Sequence, residues 1–168
     1  MDALPRYLDQ KNVDLFTSHK IYTEAEMEAR YETILEEYAK TLNIEALTMS
    51  GMVRQDILPS VSGYIASLAE AVGSKRAVCK DLPCTAEVAL IEKLSGLMDE
   101  AYEKVNTLDT VLADGKAESH NALTAATYYK DEIIPAMESL RAVVDQMEVD
   151  TASDFWPYPS YGDLMFRV

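Results

Sequence analysis

The apolar residues of this chain recur at intervals of three and four positions, which is the spacing of one face of an α-helix. The first run opens with Thr23-Glu24-Ala25-Glu26, which has the form of a capping box. We therefore predict that a long helix begins after Thr23. The pattern weakens at Asn43, which predicts a bend or a new start, and Gly73 predicts the end. The apolar face of this run comprises Met27, Tyr31, Ile34, Tyr38 and Leu42, then Ile44, Leu47, Met52, Ile57, Val61, Tyr64, Leu68 and Val72.

Two further runs predict two more long helices. One follows Thr85, a candidate N-cap, and ends at Asp114-Gly115. The other begins between Lys116 and Ser119 and fades at Asp150. Helices of matched length joined by short loops pack antiparallel.

The predicted fold class is therefore all-α, an up-down-up antiparallel bundle of three long helices, each roughly 45 Å long. These helices comprise residues 43–72, 86–113 and 117–148. The preceding residues 23–42 have no partner of equal length, which predicts that they project beyond the bundle.

Prolines lie inside the first and third predicted helices, as candidate structural kinks. Pro59 ends the sequence Asp56-Ile57-Leu58-Pro59, and Pro135 ends the similar Glu132-Ile133-Ile134-Pro135. A proline in a helix interior lacks a donor and clashes with the carbonyl four residues earlier, here that of Gln55 or Asp131. We predict that both helices bend at a similar height. The match is short, so the sequence leaves open whether it is a repeat or a coincidence.

The two ends of the chain differ from the predicted bundle, residues 23–150. Residues 1–22 predict one or two short helices, which are marginal in water unless they dock on other protein. Residues 151–168 predict an extended tail, because prolines disfavour helix there. A tail this rich in aromatic residues is expected to dock on its own bundle or on a neighbouring surface. The candidate interaction residues are Phe155, Trp156, Tyr158, Tyr161, Leu164 and Phe166.

The formal net charge of −14 predicts the classes of partner that the chain does not bind. Phosphates of nucleic acids and anionic membrane surfaces would repel so acidic a protein, so we expect no nucleic acid and no membrane partner. The sequence has neither an apolar run of about 18 residues nor the pattern of a signal peptide. The expected compartment is the cytoplasm.

No residue pattern indicates catalysis, a bound cofactor or a metal site. A di-metal carboxylate site in a bundle needs Glu-x-x-His pairs, and neither His19 nor His120 has that spacing. Cys79 and Cys84 fit no zinc pattern, and no histidine lies near them in sequence. The predicted sets of catalytic, cofactor-binding and metal residues are therefore empty.

Some residues inside the predicted helices have alternative explanations. Gly51, Gly63 and Gly96 predict close helix contact, with a ligand site as the alternative. Arg54, Asp56 and Lys130 could form a buried polar layer near the prolines. The favoured alternative is that Lys130 extends to the surface while Tyr129 packs inward.

Several segments, taken in order, resemble the C-terminal region of type III glutamine synthetases. They are Ala3-Leu4-Pro5, Lys11-Asn12-Val13-Asp14-Leu15-Phe16, Arg30-Tyr31-Glu32, Asn43-Ile44-Glu45-Ala46-Leu47-Thr48-Met49, Asp56-Ile57-Leu58-Pro59, and the closing Trp156-Pro157, Pro159, Tyr161 and Asp163-Leu164. The resemblance implies a helical C-terminal domain of an enzyme that makes glutamine from glutamate, ammonia and ATP, with magnesium. It implies a catalytic region upstream that holds ATP and magnesium, joined through residues 1–22. It also implies a cytoplasmic, ring-based homo-oligomer.

Three hypotheses follow for the function. The first is a non-catalytic domain of a glutamine synthetase, with a scaffold, assembly or modulatory role. The alternative is a free-standing acidic helical adaptor that binds protein partners through its tail. The third is a small-molecule sensor with a pocket near Gln55 and Tyr129.

Overall fold

The computed structural model describes residues 1, 3–117, 121–159 and 161–166, and these residues form helices without any strand. The predicted all-α bundle of long helices is confirmed. The elements in order are a 3₁₀ helix (Leu4–Leu8), α1 (Gln10–Ser18), α2 (Glu24–Met52), a π-helical segment (Val53–Ile57), α3 (Leu58–Val78), α4 (Thr85–Ala117), α5 (Ala122–Tyr128), a second π-helical segment (Tyr129–Ile133), α6 (Ile134–Asp150) and α7 (Tyr161–Phe166). None of these helices is long and apolar enough to cross a membrane.

The chain divides into two compact units. Unit one comprises Met1–Leu47 and Asp109–Ala136, and unit two comprises Thr48–Leu108 and Met137–Val168. Each unit has its own buried apolar side chains. Those of unit one include Met27, Leu35, Leu112, Ala126, Tyr129 and Ile133, and those of unit two include Val53, Ile57, Val61, Leu94, Val105, Leu108, Leu140 and Met147.

The predicted capping box at the start of α2 is confirmed. The Thr23 backbone N–H donates to Glu26 Oε2 at 2.8 Å, and the Glu26 N–H donates to Thr23 Oγ1 at 3.3 Å. The hydrogen bond from the Thr23 backbone holds the pKa of the Glu26 carboxyl below its ordinary value. The reciprocal pair satisfies two N–H groups that have no partner within the helix.

The predicted helix ends at Gly73 and Asp114-Gly115 and the alternative of a new helix start at Asn43 are wrong, because the helices continue through these residues. α2 continues through Asn43, whose side chain accepts a hydrogen bond from Tyr129. α3 continues through Gly73 to Val78, and α4 continues through Gly115 to Ala117.

Two helix starts also differ from the prediction. Thr85 is the first residue of α4 rather than its cap, and the Val88 N–H donates to the Cys84 carbonyl. α5 begins at Ala122, because Asn121 Oδ1 accepts from the Leu123 N–H at 2.8 Å and caps it. The end of α6 at Asp150 agrees with the sequence pattern.

The prediction that residues 23–42 project beyond the bundle is wrong, because side chains of this segment are buried. Met27 and Leu35 are 0% and 1% exposed. The segment belongs to unit one, together with Asp109–Ala136. The short helices predicted near the N-terminus are present as the 3₁₀ helix and α1, with Phe16 against both Tyr7 and Tyr22.

A π-helical segment precedes each interior proline at the same offset. Val53–Ile57 ends two residues before Pro59, and Tyr129–Ile133 ends two residues before Pro135. In the first segment the Leu58 N–H donates to the Val53 carbonyl, five residues earlier. A widened turn moves the preceding carbonyls away from the proline ring. The two similar tetrapeptides therefore share a local structure, while the bend angle of each helix stays a prediction.

The tail is only partly extended. Thr151 closes α6, with its hydroxyl donating to the Met147 carbonyl at 2.7 Å. Turns follow, and residues Tyr161–Phe166 form the short helix α7, so the prediction of a tail extended throughout is wrong there. Both prolines of the tail precede α7, which leaves its six residues free to adopt helical backbone angles.

Candidate functional site

The first candidate site is where the tail docks within unit two. The Tyr158 hydroxyl donates to Asp56 Oδ2 at 2.7 Å, although the two residues lie 102 positions apart. Burial, together with the hydrogen bond to the Asp56 carboxylate, raises the pKa of Tyr158 to about 12. This contact joins the tail to the π-helical segment before Pro59.

Aromatic packing adds a second contact between the tail and α3. The rings of Phe155 and Tyr64 have centroids 5.3 Å apart and are tilted by 46°. Gly63 lies beneath Phe155, and a Cβ built at Gly63 would be 3.8 Å from that ring. Trp156 is half-buried. The sequence leaves open whether the tail docks on its own bundle or on a neighbouring surface. Phe155 and Tyr158 contact their own chain.

The end of the tail is different, because its apolar side chains face solvent. Leu164, Met165 and Phe166 are 66%, 73% and 79% exposed. The side chain of Tyr161 lies outside the described part of the structure. The candidate interaction residues therefore separate into two groups. Phe155 and Tyr158 contact α3 and the first π-helical segment, although Phe155 remains 36% exposed, whereas Leu164 and Phe166 are largely exposed.

Polar side chains of both π-helical segments contact other elements of their own unit. In unit two, Arg54 Nη2 donates to Asn106 Oδ1 at 2.6 Å, and the guanidinium lies 5.9 Å from the centre of the Tyr102 ring. In unit one, the buried Tyr129 hydroxyl donates to Asn43 Oδ1 at 3.1 Å, and burial raises the pKa of Tyr129. The inward packing of Tyr129 agrees with the favoured sequence interpretation.

Unit one has a groove whose lining includes Tyr129, one of the two residues near which the third hypothesis places a pocket. Gln55 does not line it, and its course along α2 was not predicted from the sequence. The groove has a volume of about 1040 Å³ and lies between one face of α2 and the residues around α5. Three glutamates of α2, Glu28, Glu32 and Glu36, line it. Their spacing of four residues places them in one row on the helix, a pattern that could have been recognised in the sequence. The other residues that line the groove are Leu8, Tyr31, Leu35, Ala39, Lys40, Asn43, Gly115, Asn121, Ala122, Leu123, Ala125 and Tyr129.

The predicted close helix contacts of the glycines are wrong at two positions. A Cβ built at Gly51 or Gly96 would meet nothing within 4 Å. Gly115 makes a close contact instead, since a Cβ there would lie 2.8 Å from the Tyr128 ring. The sequence predicts that Gly115 ends its helix. The close approach of the Tyr128 ring could not be recognised from that pattern, because Tyr128 belongs to the next helix, α5.

Metal-ligating and nucleophilic groups are scattered in the described residues. No group of three or more His, Cys, Asp or Glu side chains in residues 3–117, 121–159 and 161–166 could hold a metal ion. His120 lies outside the described residues, and His19 follows the last residue of α1. Cys79 is an exposed free thiol, and the buried Cys84 has its sulfur 3.7 Å from the Leu82 carbonyl.

Comparisons with known proteins agree with the resemblance noted in the sequence. A family model described as "Glutamine synthetase C-terminal domain" matches residues 1–76. A glutamine synthetase of Butyrivibrio fibrisolvens is 32% identical over 99% of this chain and 24% of its own length. The type-3 glutamine synthetase of Dictyostelium discoideum is 26% identical, and a glutamine synthetase of Bacteroides fragilis (strain YCH46) is 25% identical, each over 98% of this chain and 23% of its own length.

The fold and its contact surfaces define a helical-bundle domain with a docked C-terminal tail. Residues 1–76 belong to the family of glutamine synthetase C-terminal domains, and the whole chain is similar to the C-terminal part of glutamine synthetases. It spans about a quarter of the length of the curated relatives that it matches, at their C-terminal end.

Proposed function

We propose that this domain has a non-catalytic scaffold, assembly or modulatory role in a glutamine synthetase whose catalytic region lies upstream. The observation that carries the proposal is the alignment, in which 99% of this chain matches only 24% of the Butyrivibrio relative. On this proposal the parent enzyme forms glutamine from glutamate, ammonia and ATP, with magnesium in its catalytic region. It does so as a cytoplasmic, ring-based homo-oligomer.

The contacts described above support a scaffold role. The hydrogen bonds of Tyr158 with Asp56 and of Tyr129 with Asn43 each join elements that are distant in sequence within one unit. The Tyr129–Asn43 hydrogen bond is partly buried and the Tyr158–Asp56 hydrogen bond is exposed. Contacts between segments that are distant in sequence help to fix the geometry of a domain. The exposed apolar side chains at the end of the tail provide area for contact with other protein.

A chimeric enzyme tests the proposal. The part of the Butyrivibrio glutamine synthetase that this chain matches would be replaced by the 168-residue chain. The matched comparison is the same enzyme truncated before that part. We expect the truncated enzyme to lose oligomer mass, glutamine formation or both, and the chimera to recover them. Mass photometry and a coupled assay of glutamine formation measure the two properties.

Two results would contradict the proposal. One is a truncated enzyme whose oligomer mass and steady-state constants equal those of the intact enzyme, since the domain would then contribute to neither. The other is glutamine formation by the 168-residue chain alone, which would make the domain itself catalytic.

A further inference from the structure

We propose that the groove of unit one binds a basic amphipathic helix of a protein partner. The residues of α2 that line it extend from Glu28 to Asn43. At 1.5 Å per residue this is about 22 Å of helix, or four turns. A groove this long fits a four-turn helix of another protein, whereas a compact metabolite would contact only part of it.

The apolar part of the groove lining, here called its floor, includes several small side chains. Ala39, Ala122 and Ala125 line it together with Leu35 and Leu123. Two packed helices with large side chains at these positions would fill the space between them. Apolar side chains of a partner helix, at intervals of three and four residues, would fill it instead.

The charge of the groove selects a basic partner. Glu28, Glu32 and Glu36 line it, and Lys40 is the one basic side chain among the described lining residues. Lys40 already pairs with Glu36 at 2.8 Å. Lysine or arginine side chains of a partner would therefore face Glu28 and Glu32, in a chain whose net charge of −14 also attracts basic segments.

Binding of a designed peptide to the 168-residue chain tests this proposal directly. The probe is a fluorescein-labelled amphipathic peptide of about 15 residues, with leucines on one face and lysines on the other. An analogue with glutamate in place of lysine is the control peptide. We expect the basic peptide to bind, measured by fluorescence anisotropy, and the acidic analogue not to bind.

Charge variants of α2 distinguish the groove from general attraction. Glu28→Gln with Glu32→Gln is expected to weaken binding of the basic peptide about three- to tenfold. The matched control is Glu37→Gln with Glu45→Gln, which removes the same charge from the same helix outside this groove. Equal weakening by the two pairs would overturn the proposal, because it would show that only the overall charge matters.

A variant that fills the groove tests the apolar floor. Ala39→Trp is expected to abolish binding, while circular dichroism confirms that the variant remains helical. In methyl NMR of the wild-type chain, the peptide should shift the signals of Leu35, Ala39 and Leu123. Shifts elsewhere, or concentration-dependent self-association that Ala39→Trp removes, would overturn the proposal, the latter by making a second copy the occupant. The result is independent of the synthetase chimera, since it needs no catalytic region.

Discussion

Gly96 and Gly115 lie in the same helix, α4, and their surroundings differ. Gly96 is exposed, with open space where a Cβ would stand, whereas Gly115 is buried against the Tyr128 ring. A glycine in a helix interior costs roughly 0.5–1 kcal/mol relative to alanine, because its unfolded backbone is more flexible. Only at Gly96 is there room for an alanine side chain that would remove this cost.

The two glycines therefore give a matched prediction. Gly96→Ala is expected to raise the free energy of unfolding by about 0.5–1 kcal/mol. Gly115→Ala is expected to give no gain and to lower it, because the new Cβ would lie 2.8 Å from Tyr128 Cε1. Urea denaturation measures both. A stabilising effect of Gly115→Ala comparable to that of Gly96→Ala would show that the Tyr128 ring moves aside readily.

The second prediction at the residue scale concerns the ionisation of the Tyr158 hydroxyl. Its pKa is raised from an ordinary 10.0 to about 12, which means that the folded protein favours the neutral phenol. The stability that this preference contributes is fully present below pH 10, and it is lost as the pH rises through about 12. Tyr158→Phe removes the ionisation as well as the hydrogen bond to Asp56.

Absorbance at the phenolate band measures this change during an alkaline titration. The difference between the wild-type and Tyr158→Phe titrations is expected to show one tyrosine ionising near pH 12, provided that both proteins are still folded by circular dichroism. Asp56→Asn, which removes the acceptor charge, should move that ionisation to lower pH. A difference curve centred at pH 10 would contradict docking of Tyr158.

At the scale of the element, the start of α2 depends on the Thr23–Glu26 pair. Thr23→Ala removes the cap and is expected to lower the free energy of unfolding by about 1 kcal/mol. The pKa of Glu26 lies below its ordinary value of 4.5, so its contribution is fully present above pH 4.5 and is lost as the pH falls through the lower, folded pKa. Both effects are local to the first turn.

Glutamine substitution tests the pH dependence of this cap. The stability difference between wild type and Glu26→Gln should be constant from neutral pH to about 4.5 and decrease below it. Glu24→Gln is the control, because Glu24 lies in the same first turn and is not part of the Thr23 pair. Equal behaviour of the two variants in thermal melts across this pH range would show that the general field of the helix end, rather than the reciprocal cap, is responsible.

The sequence predicts those parts of the fold that depend on residues close together in the chain. The capping box needs only four consecutive residues, and the apolar periodicity predicted the long helices. The continuation of α2 through Asn43 and of α4 through Gly115 could not be predicted in the same way, since each residue contacts a tyrosine of another element, Tyr129 and Tyr128 respectively. The docked tail likewise depends on a contact across 102 residues. The groove arises from small side chains on elements far apart in sequence.

At the scale of the whole molecule, charge is the dominant property. The chain has 29 acidic against 15 basic residues. Exposed ion pairs such as Lys40–Glu36 and Arg141–Asp145 offset a little of the repulsion, but pairs of this kind contribute at most about 1 kcal/mol each. Repulsion among the unpaired carboxylates is therefore expected to outweigh attraction, so the folded chain should be sensitive to ionic strength.

The last prediction concerns salt. Raising sodium chloride from about 0.01 M to 0.15 M shortens the Debye length from about 30 Å to about 8 Å, which screens repulsion across the molecule more than contacts between adjacent side chains. We expect the melting temperature to rise by about 2–4 °C, the shift that corresponds to about 1 kcal/mol for a chain of this size. Choline chloride at the same ionic strength should give the same rise, because screening does not depend on the identity of the cation. A fall in melting temperature would mean that the exposed ion pairs contribute more than the net charge of −14 costs.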